Sequence, residues 1–391
     1  MPTCAIVGAG FAGLAAAEAL ASAGVDVTVF EARDRVGGRV HSRELENGAI
    51  VELGAEFILP THEVLRATAA RLGLELYEKG TLYGDREPRP PVPRHELLAA
   101  IARLAEPRDG TVADALASLG LSRDVHDALL ARVEISTAYV ADDQPASVLA
   151  ASGAAFGDFP SHGVAGGNQR LAEALARGLR LQLEAPVMRI AWTEDTVRVH
   201  DVDFDACIVA IPASVHGEIA FEPSLPDTKR RALAAVRYGD AAKLFLRLEN
   251  PVEPSATLSV PNRFWAYTQL APDRSPLPVL AAFAGTRTGV ERLNAETVRG
   301  LRPELELADA DPVLSTWHDD PWIRAAYSAR SLESSLDDPA LLEPVGPLSF
   351  AGEHTAGEWH ALMEGALRSG IRAAREVQQR LAVTGFSNRL R

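Results

Sequence analysis

Apolar and polar positions mark out the first elements of this chain. "TCAIV" at 3–7 and "VDVTVFE" at 25–31 read as apolar strands, with a glycine turn and the helical run "LAAAEALASAG" between them. Strand, turn, helix and strand at that spacing make a βαβ unit, which implies a parallel sheet. Residues 61–152 change to helical patterns rich in Ala and Leu and read as a helical insertion. Within it, "EPRPPVP" at 87–93 can be neither helix nor central strand. Thr111 and Asp114 in "TVADALASL" fit a helix cap with an acidic first turn, and "SRDVHDALLARVE" predicts another helix. From "VAGGNQRLAEALARG" the chain reads as helix, then as strand-like runs at about 180–184, 186–192, 196–200 and 204–210. Residues 213–236 read as mainly helical. Strands follow around "AAKLFLRL", "RFWAYTQL" and "PVLAAFAG", with helical patterns at 290–306, and the chain closes on the strand "PLSFAGE" and an amphipathic helix over about 360–381. No internal repeat is present.

One strand carries a residue that breaks its pattern. In "YGDAAKLFLRL", period two puts Ala242, Leu244, Leu246 and Leu248 on one face and Ala241, Lys243, Phe245 and Arg247 on the other. By itself this reads as a half-exposed strand with an ordinary solvent-facing lysine.

Composition narrows the class. At 391 residues the chain exceeds one compact core, so two domains or one domain with a large insertion are expected. A net charge of −14 argues against a nucleic-acid partner and mildly favours cationic or neutral small ligands. Cys4 and Cys207 each lie inside an apolar run, which predicts buried free thiols rather than a disulfide or metal site. No apolar run approaches bilayer length, and the first strand begins almost at Met1. A cytoplasmic protein without a membrane partner is therefore expected. The pattern fixes no oligomeric state; a homodimer is compatible with it.

"GAGFAG" sets Gly8, Gly10 and Gly13 in the G-x-G-x-x-G pattern, with Phe11 and Ala12 between, directly after a strand and opening a helix. Glycines there let the turn close, let a pyrophosphate approach the backbone and let the helix pack on the strand, while the helix N-terminus holds the anion. Glu31 ends the next strand, where a carboxylate can accept hydrogen bonds from a ribose. This points to a dinucleotide without separating NAD from FAD. In "EARDRVGGRV", Arg33, Arg35 and Arg39 surround Gly37 and Gly38, adding positive charge where phosphates would lie.

The run from "AIVGAGFAGLAAAEAL" through "VFEARDRVGGRV" and "ELGAEFI" resembles the flavin-containing amine oxidoreductases, the superfamily of monoamine and polyamine oxidases. The closing "SFAGEHTAGEWHALMEGALRSGIRAAREV" is similar to that family's last motif, so the resemblance brackets the chain. It implies an α/β fold: a discontinuous, Rossmann-like FAD domain of the glutathione-reductase type (1–60, 161–232 and 320–391) and an α+β substrate domain (helical part 61–160, mixed sheet 233–319). It implies FAD contacts from the glycine motif, Glu31, Ala32, Arg33, Gly38 and Arg39. Leu53, Gly54, Ala55 and Glu56 would line the isoalloxazine, Val187 would meet adenine, and Gly352 and Glu353 the pyrophosphate and ribityl chain. The Met363 amide would face the flavin N1 and O2 edge. Arg368, Arg372 and Arg375 of the same helix read as a solvated face.

The resemblance also assigns chemistry and exposes departures. Lys243 falls on the family's lysine position, which holds a water near flavin N5 and reverses the surface reading of that residue. Tyr327 matches one wall of the substrate cage. Ala326 stands where mitochondrial monoamine oxidases carry a flavin-linking cysteine, so FAD is expected to be non-covalent. Leu362 replaces the second cage aromatic, which argues against simple primary arylalkylamines. Phe57, Trp265 and Trp322 are candidate substitutes, each also suited to core or interface packing. The expected activity is amine oxidation with O2 as acceptor and hydrogen peroxide as product. Alternatives are a dehydrogenase or desaturase of a larger metabolite, or a flavin-binding scaffold without turnover. No metal site is expected.

Overall fold

The computed structural model describes the chain except residues 83, 105, 107, 152–158, 334, 335 and 388–391. Strands Thr3–Val7 and Asp26–Phe30 run parallel on either side of the crossover helix Phe11–Ser22. Strand Arg180–Gln182 extends this pair on one side, and Ala206–Val209 and Leu348–Phe350 on the other. The result is a five-stranded, all-parallel sheet drawn from three separated stretches of chain. Both of its faces are covered, which is why its strands are apolar almost throughout. Ile6, Val27, Val29 and Ile208 join the core under helices Phe11–Ser22 and Gln169–Ala176 and the last helix. Ala5, Val7, Phe30, Cys207 and Val209 join a second core with residues of helix Asp227–Ala235 and of a four-stranded sheet. Cys4 and Cys207 are both buried free thiols.

The other large sheet has six strands, in the order Val313–Thr316, Ala242–Arg247, Val279–Ala284, Phe264–Thr268, Ser255–Ser259, Glu87–Arg89. Its pairs are antiparallel except the last. Ala242, Leu244 and Leu246 pack in one core with Phe264 and Leu280. Phe245 points to the opposite core, among Trp265, Tyr267 and residues Ala128, Ala131 and Ile135 of helix Arg123–Thr137. The strand carrying Lys243 is therefore buried on both faces, and Lys243 itself is only 6% exposed.

Several expectations change. The segment read as a helical insertion also holds strand Leu76–Leu82, paired with Pro160–Val164. The proline-rich stretch begins with Glu87–Arg89, an edge strand, the one sheet position where missing N–H donors do little harm. The run at 186–192 becomes strand only from Arg189, and the run at 204–210 divides between Val202–Phe204 and Ala206–Val209, which belong to different sheets. Ala220–Glu222 is a strand inside the stretch read as mainly helical. The cap read at Thr111 is present: its side chain accepts from the Asp114 amide, and Asp114 reciprocates.

The last helix, Met363–Ser387, is no surface helix over its first half. Leu367, Ala373, Ala374 and Val377 are buried with Leu14, Ala16 and Ala17 of the first helix. Of the three arginines read as a solvated face, only Arg375 is exposed. Arg372 donates to the Phe350 carbonyl and to Glu376, and Arg368 pairs with Glu364 and lies over the Trp359 ring. A Cβ at Gly370 would sit 2.1 Å from the Ala12 carbonyl oxygen. Gly370→Ala would gain about 1 kcal/mol of helix propensity. Overpacking against backbone costs about 1–3 kcal/mol, so a lower melting temperature is expected in thermal denaturation; an unchanged or raised one contradicts this packing.

Candidate active site

A cavity of about 410 Å³ runs from the end of the parallel sheet to the strand carrying Lys243. At the sheet end the chain turns at Gly8, whose φ of +101° suits glycine alone. Gly13 packs directly on that turn: a Cβ there would lie 1.9 Å from the Gly8 carbonyl oxygen. Gly10 lines the cavity, and nothing lies within 4 Å of where its Cβ would be. Helix Phe11–Ser22 starts there with no side chain capping its first amides, so its positive end meets open space.

Glu31 lies beside this turn. One carboxylate oxygen accepts from the Ala9 amide (2.7 Å) and the other from the Arg33 amide (3.0 Å), which leaves lone pairs for a hydroxyl donor. Arg33 pairs with Asp320 and lies over the Trp317 ring. An anion-receptive helix end, a bare glycine face and a ribose-sized acceptor in one cleft fit a dinucleotide.

Farther along, Arg39 Nη1 donates to the Glu353 carboxylate (2.9 Å) and the Ala326 carbonyl (2.5 Å). Glu353 also accepts from the Ser328 hydroxyl (2.5 Å) and the Ala361 amide (2.8 Å). Burial works against its charge, but Arg39, His354 and these hydrogen bonds hold its pKa below the usual carboxylate range. Gly54 lets the strand-to-loop segment cross the Arg39 backbone: its Cβ would be 1.9 Å from the Arg39 carbonyl oxygen. The last helix opens at Met363 on the same cavity, so a second helix N-terminus faces it.

Lys243 lines the far end. Its Nζ donates to the Glu56 carboxylate (2.6 Å) and to the Glu52 carbonyl (3.0 Å). An ammonium has three donors, so one remains for the cavity. Glu56 is held in turn by Lys79 (3.2 Å), Gln269 (3.0 Å) and the Tyr267 hydroxyl (2.6 Å). Burial opposes the Glu56 charge, but the two lysines and these donors overcome it and bring its pKa to about 2, so it is ionised at neutral pH. Burial lowers the pKa of Lys243 although Glu56 pulls the other way, whereas burial also works against the charge of Lys79 but Glu56, Tyr77 and Glu52 together overcome it and raise its pKa. Tyr327 also lines this end, its hydroxyl tied to the Ser136 carbonyl (3.2 Å), and Leu362 and Phe283 add apolar surface.

Every residue singled out for a site in the sequence lines the cavity except Gly13, Arg35, Glu56, Phe57 and Trp265; Arg35 is spent on the Val36, Gly38 and Val40 carbonyls of its own loop. Gly13 acts from beneath, through helix packing. Glu56 does not form cavity wall but sits behind Lys243. Phe57 and Trp265 do not replace the missing cage aromatic. Trp265 is 1% exposed and stacks on Tyr267 at 4.1 Å, with Arg86 on its ring, while Phe57 packs against both aromatics. Trp322 does line the cavity, partly exposed. Phe283, Ser315 and Trp317 went unread. Phe283 and Ser315 are the cross-strand partners of Lys243, and that register has no signature in any one segment. Among the described residues no group of acidic, His or Cys side chains could hold a metal ion, and no helix is long and apolar enough to cross a membrane.

Comparison with known proteins gives the same direction. The putrescine oxidase of Kocuria rosea is 28% identical over 467 residues, covering 97% of this chain and 96% of that protein. Flavin-containing amine oxidase B of Mus musculus is 26% identical over 445 residues, covering 95% and 85%. The solved structure of wild-type putrescine oxidase bound to putrescine superposes with a TM-score of 0.83 at 23% identity, over 97% of this chain and 100% of that one, a likeness of fold. The model of a family described as flavin containing amine oxidoreductase matches residues 11–92 and 87–378. Matched over nearly its whole length, this chain belongs to the flavin-containing amine oxidoreductases, enzymes whose cofactor is FAD.

Proposed function

We propose that the protein is an amine oxidase that converts an amine, O2 and water to a carbonyl compound, the released amine or ammonia, and hydrogen peroxide. The observation that carries this reading is Lys243, buried in the wall of the cavity that Tyr327 also lines, with one N–H uncommitted. Bound FAD supplies the two-electron acceptor for the hydride on the carbon next to nitrogen, and its reoxidation by O2 yields the peroxide.

The chain's residues hold the cofactor and prepare the substrate. The Gly10–Phe11 turn would take the pyrophosphate, Glu31 the adenosine ribose, Val187 the adenine, and Arg39, Gly352 and Glu353 the middle of the molecule. The helix end at Met363 favours negative charge at the flavin by about 0.3–1 kcal/mol or more. Neither cysteine lines the cavity and Ala326 occupies the linking position, so FAD is held non-covalently.

The amine must be neutral before it gives up a hydride. With a pKa of about 10, roughly one molecule in a thousand is neutral at pH 7, a cost of about 4 kcal/mol. Leu362, Phe283 and Tyr327 form an apolar end that disfavours the cation, and the Lys243 charge beside them pushes in the same direction. The remaining Lys243 N–H is positioned to hold a water or an oxygen species against the wall. With Leu362 in place of a cage aromatic, secondary and cyclic amines suit this end better than primary arylalkylamines.

Anaerobic mixing with a panel of primary, secondary and cyclic amines should bleach the flavin band, and admitting air should restore it with one peroxide per turnover. If no amine bleaches the band, the reading fails. Substrate loss without stoichiometric peroxide points instead to a dehydrogenase or desaturase.

A further inference from the structure

The cluster behind Lys243 is more elaborate than a single lysine requires. Glu56 is a two-sided bridge: Oε1 accepts from Lys79 and Gln269, and Oε2 accepts from Lys243 and the Tyr267 hydroxyl. Four donors saturate the carboxylate. Its side chain is 1% exposed, those of Lys79 and Lys243 are 4% and 8%, and Lys79 does not line the cavity. The four partners come from three strands: Lys79 from Leu76–Leu82, Lys243 from Ala242–Arg247, and Tyr267 from Phe264–Thr268, with Gln269 just beyond its end. Glu56 thus ties the large sheet to the loop after Gly54, and Lys243 is fixed where those parts meet.

A buried carboxylate held by two lysines is costly unless its geometry is well made, and a hydrophobic packing would suffice for stability alone. What the bridge adds is direction. A lysine stem has four rotatable bonds, and an ammonium held at two points can present its third N–H in one direction only. Glu52 lies near as a second buried acid, but its carboxylate is engaged by the Ser42 hydroxyl (2.7 Å) and the Asn168 amide (2.8 Å), and only its backbone carbonyl reaches Lys243.

We propose that Glu56 is the positioning residue of the active site: anchored by Lys79 and Gln269 through one oxygen, it holds the Lys243 ammonium through the other and aims its free N–H into the cavity. Lys79 is the counter-charge that keeps Glu56 available without neutralising Lys243. The inference rests on the reading of Lys243 given above.

Glu56→Gln alone leaves two lysines facing one neutral amide, so the informative variant is Glu56→Gln with Lys79→Met, which removes one charge of each sign. In the half-reaction that Lys243→Met slows, reduction by an amine that bleaches the unaltered enzyme or reoxidation by O2, stopped flow should show a rate about 10–100-fold lower, the scale on which misplacement of a positioned group acts, with the amine Kd within about twofold. Adding Lys243→Met should take the rate no lower than Lys243→Met does by itself, because the two changes remove one device. In flavin-free protein, Lys243→Met should shift the melting temperature by different amounts with and without the double substitution. Unaltered rates of both half-reactions in the double variant, losses that multiply with that of Lys243→Met, or additive melting shifts would each overturn the positioning role and leave the amine oxidase reading standing. Full-speed reduction and reoxidation in Lys243→Met alone remove the reading beneath it and the inference together.

Discussion

Gly13→Ala should yield a protein that is purified without its yellow colour and melts well below the unaltered chain. The added methyl would sit 1.9 Å from the Gly8 carbonyl oxygen, 3.1 Å from the Gly8 carbonyl carbon and 3.2 Å from Ile6 Cγ2. Two of these three are backbone atoms of a turn tied into the sheet, where the Gly8 amide donates to the Phe30 carbonyl (2.8 Å) and the Ala210 amide to the Val7 carbonyl (2.8 Å). The helix must lift from the sheet, taking with it the uncapped first-turn amides that face the cavity. Alanine returns about 1 kcal/mol of helix propensity, while overpacking costs about 1–3 kcal/mol and more where only backbone can yield, so the net sign is destabilising. Gly10→Ala provides the contrast. With nothing within 4 Å of its Cβ, it should leave the flavin-free protein as stable as before and weaken FAD binding by placing a methyl on the cavity surface. Flavin content by absorbance and melting curves of both flavin-free proteins test the pair. A Gly13→Ala protein that retains FAD and its melting temperature would refute the role given to close helix packing.

What was legible in the sequence divides along a physical line. The glycine turn, Glu31 and the Arg39 loop could be read because their meaning is local: φ, close approach and a helix end are set within a few residues. Tyr327 and Lys243 became candidates only by resemblance; the window of Lys243 by itself suggests a surface lysine. Lys79 stayed hidden for a related reason. In "LYEKGTL" a buried lysine interrupts the apolar alternation that signals a strand, and the partner strand Pro160–Val164 lies far along the chain. The Glu56 bridge needs three strands in correct register before it exists at all. Phe57 and Trp265 failed as cage candidates because their ring partners, Tyr267 and Arg86, are supplied by the fold and not by neighbours in sequence.

Lys243→Met should leave FAD bound and the fold intact while slowing the enzyme, and the charges explain why both can hold. Removing Lys243 deletes one cation from a cluster in which Glu56 keeps Lys79 at 3.2 Å, Gln269 at 3.0 Å and Tyr267 at 2.6 Å. The remaining Lys79–Glu56 pair is balanced, so the large cost of a buried charge stripped of its partner, about 3–5 kcal/mol, does not arise. Methionine fills nearly the same length between Phe283 and Ser315, the cross-strand neighbours on either side. The melting temperature should therefore stay close to that of the unaltered protein. Function should not follow stability. The variant loses the only lysine on the cavity wall among the described residues, and with it both the donor that faces the substrate end and the positive charge that disfavours a cationic amine. A positioned proton donor or acceptor contributes about 10²–10⁴-fold, so a loss of at least about 10²-fold is expected in reduction by amine or in reoxidation by O2, resolved by following each half-reaction separately. The two outcomes assign different work: slowed reduction means that Lys243 acts on the amine or its bound water, slowed reoxidation that it acts on oxygen. Unaltered rates in both half-reactions, with FAD retained, would return Lys243 to a purely structural place in the sheet.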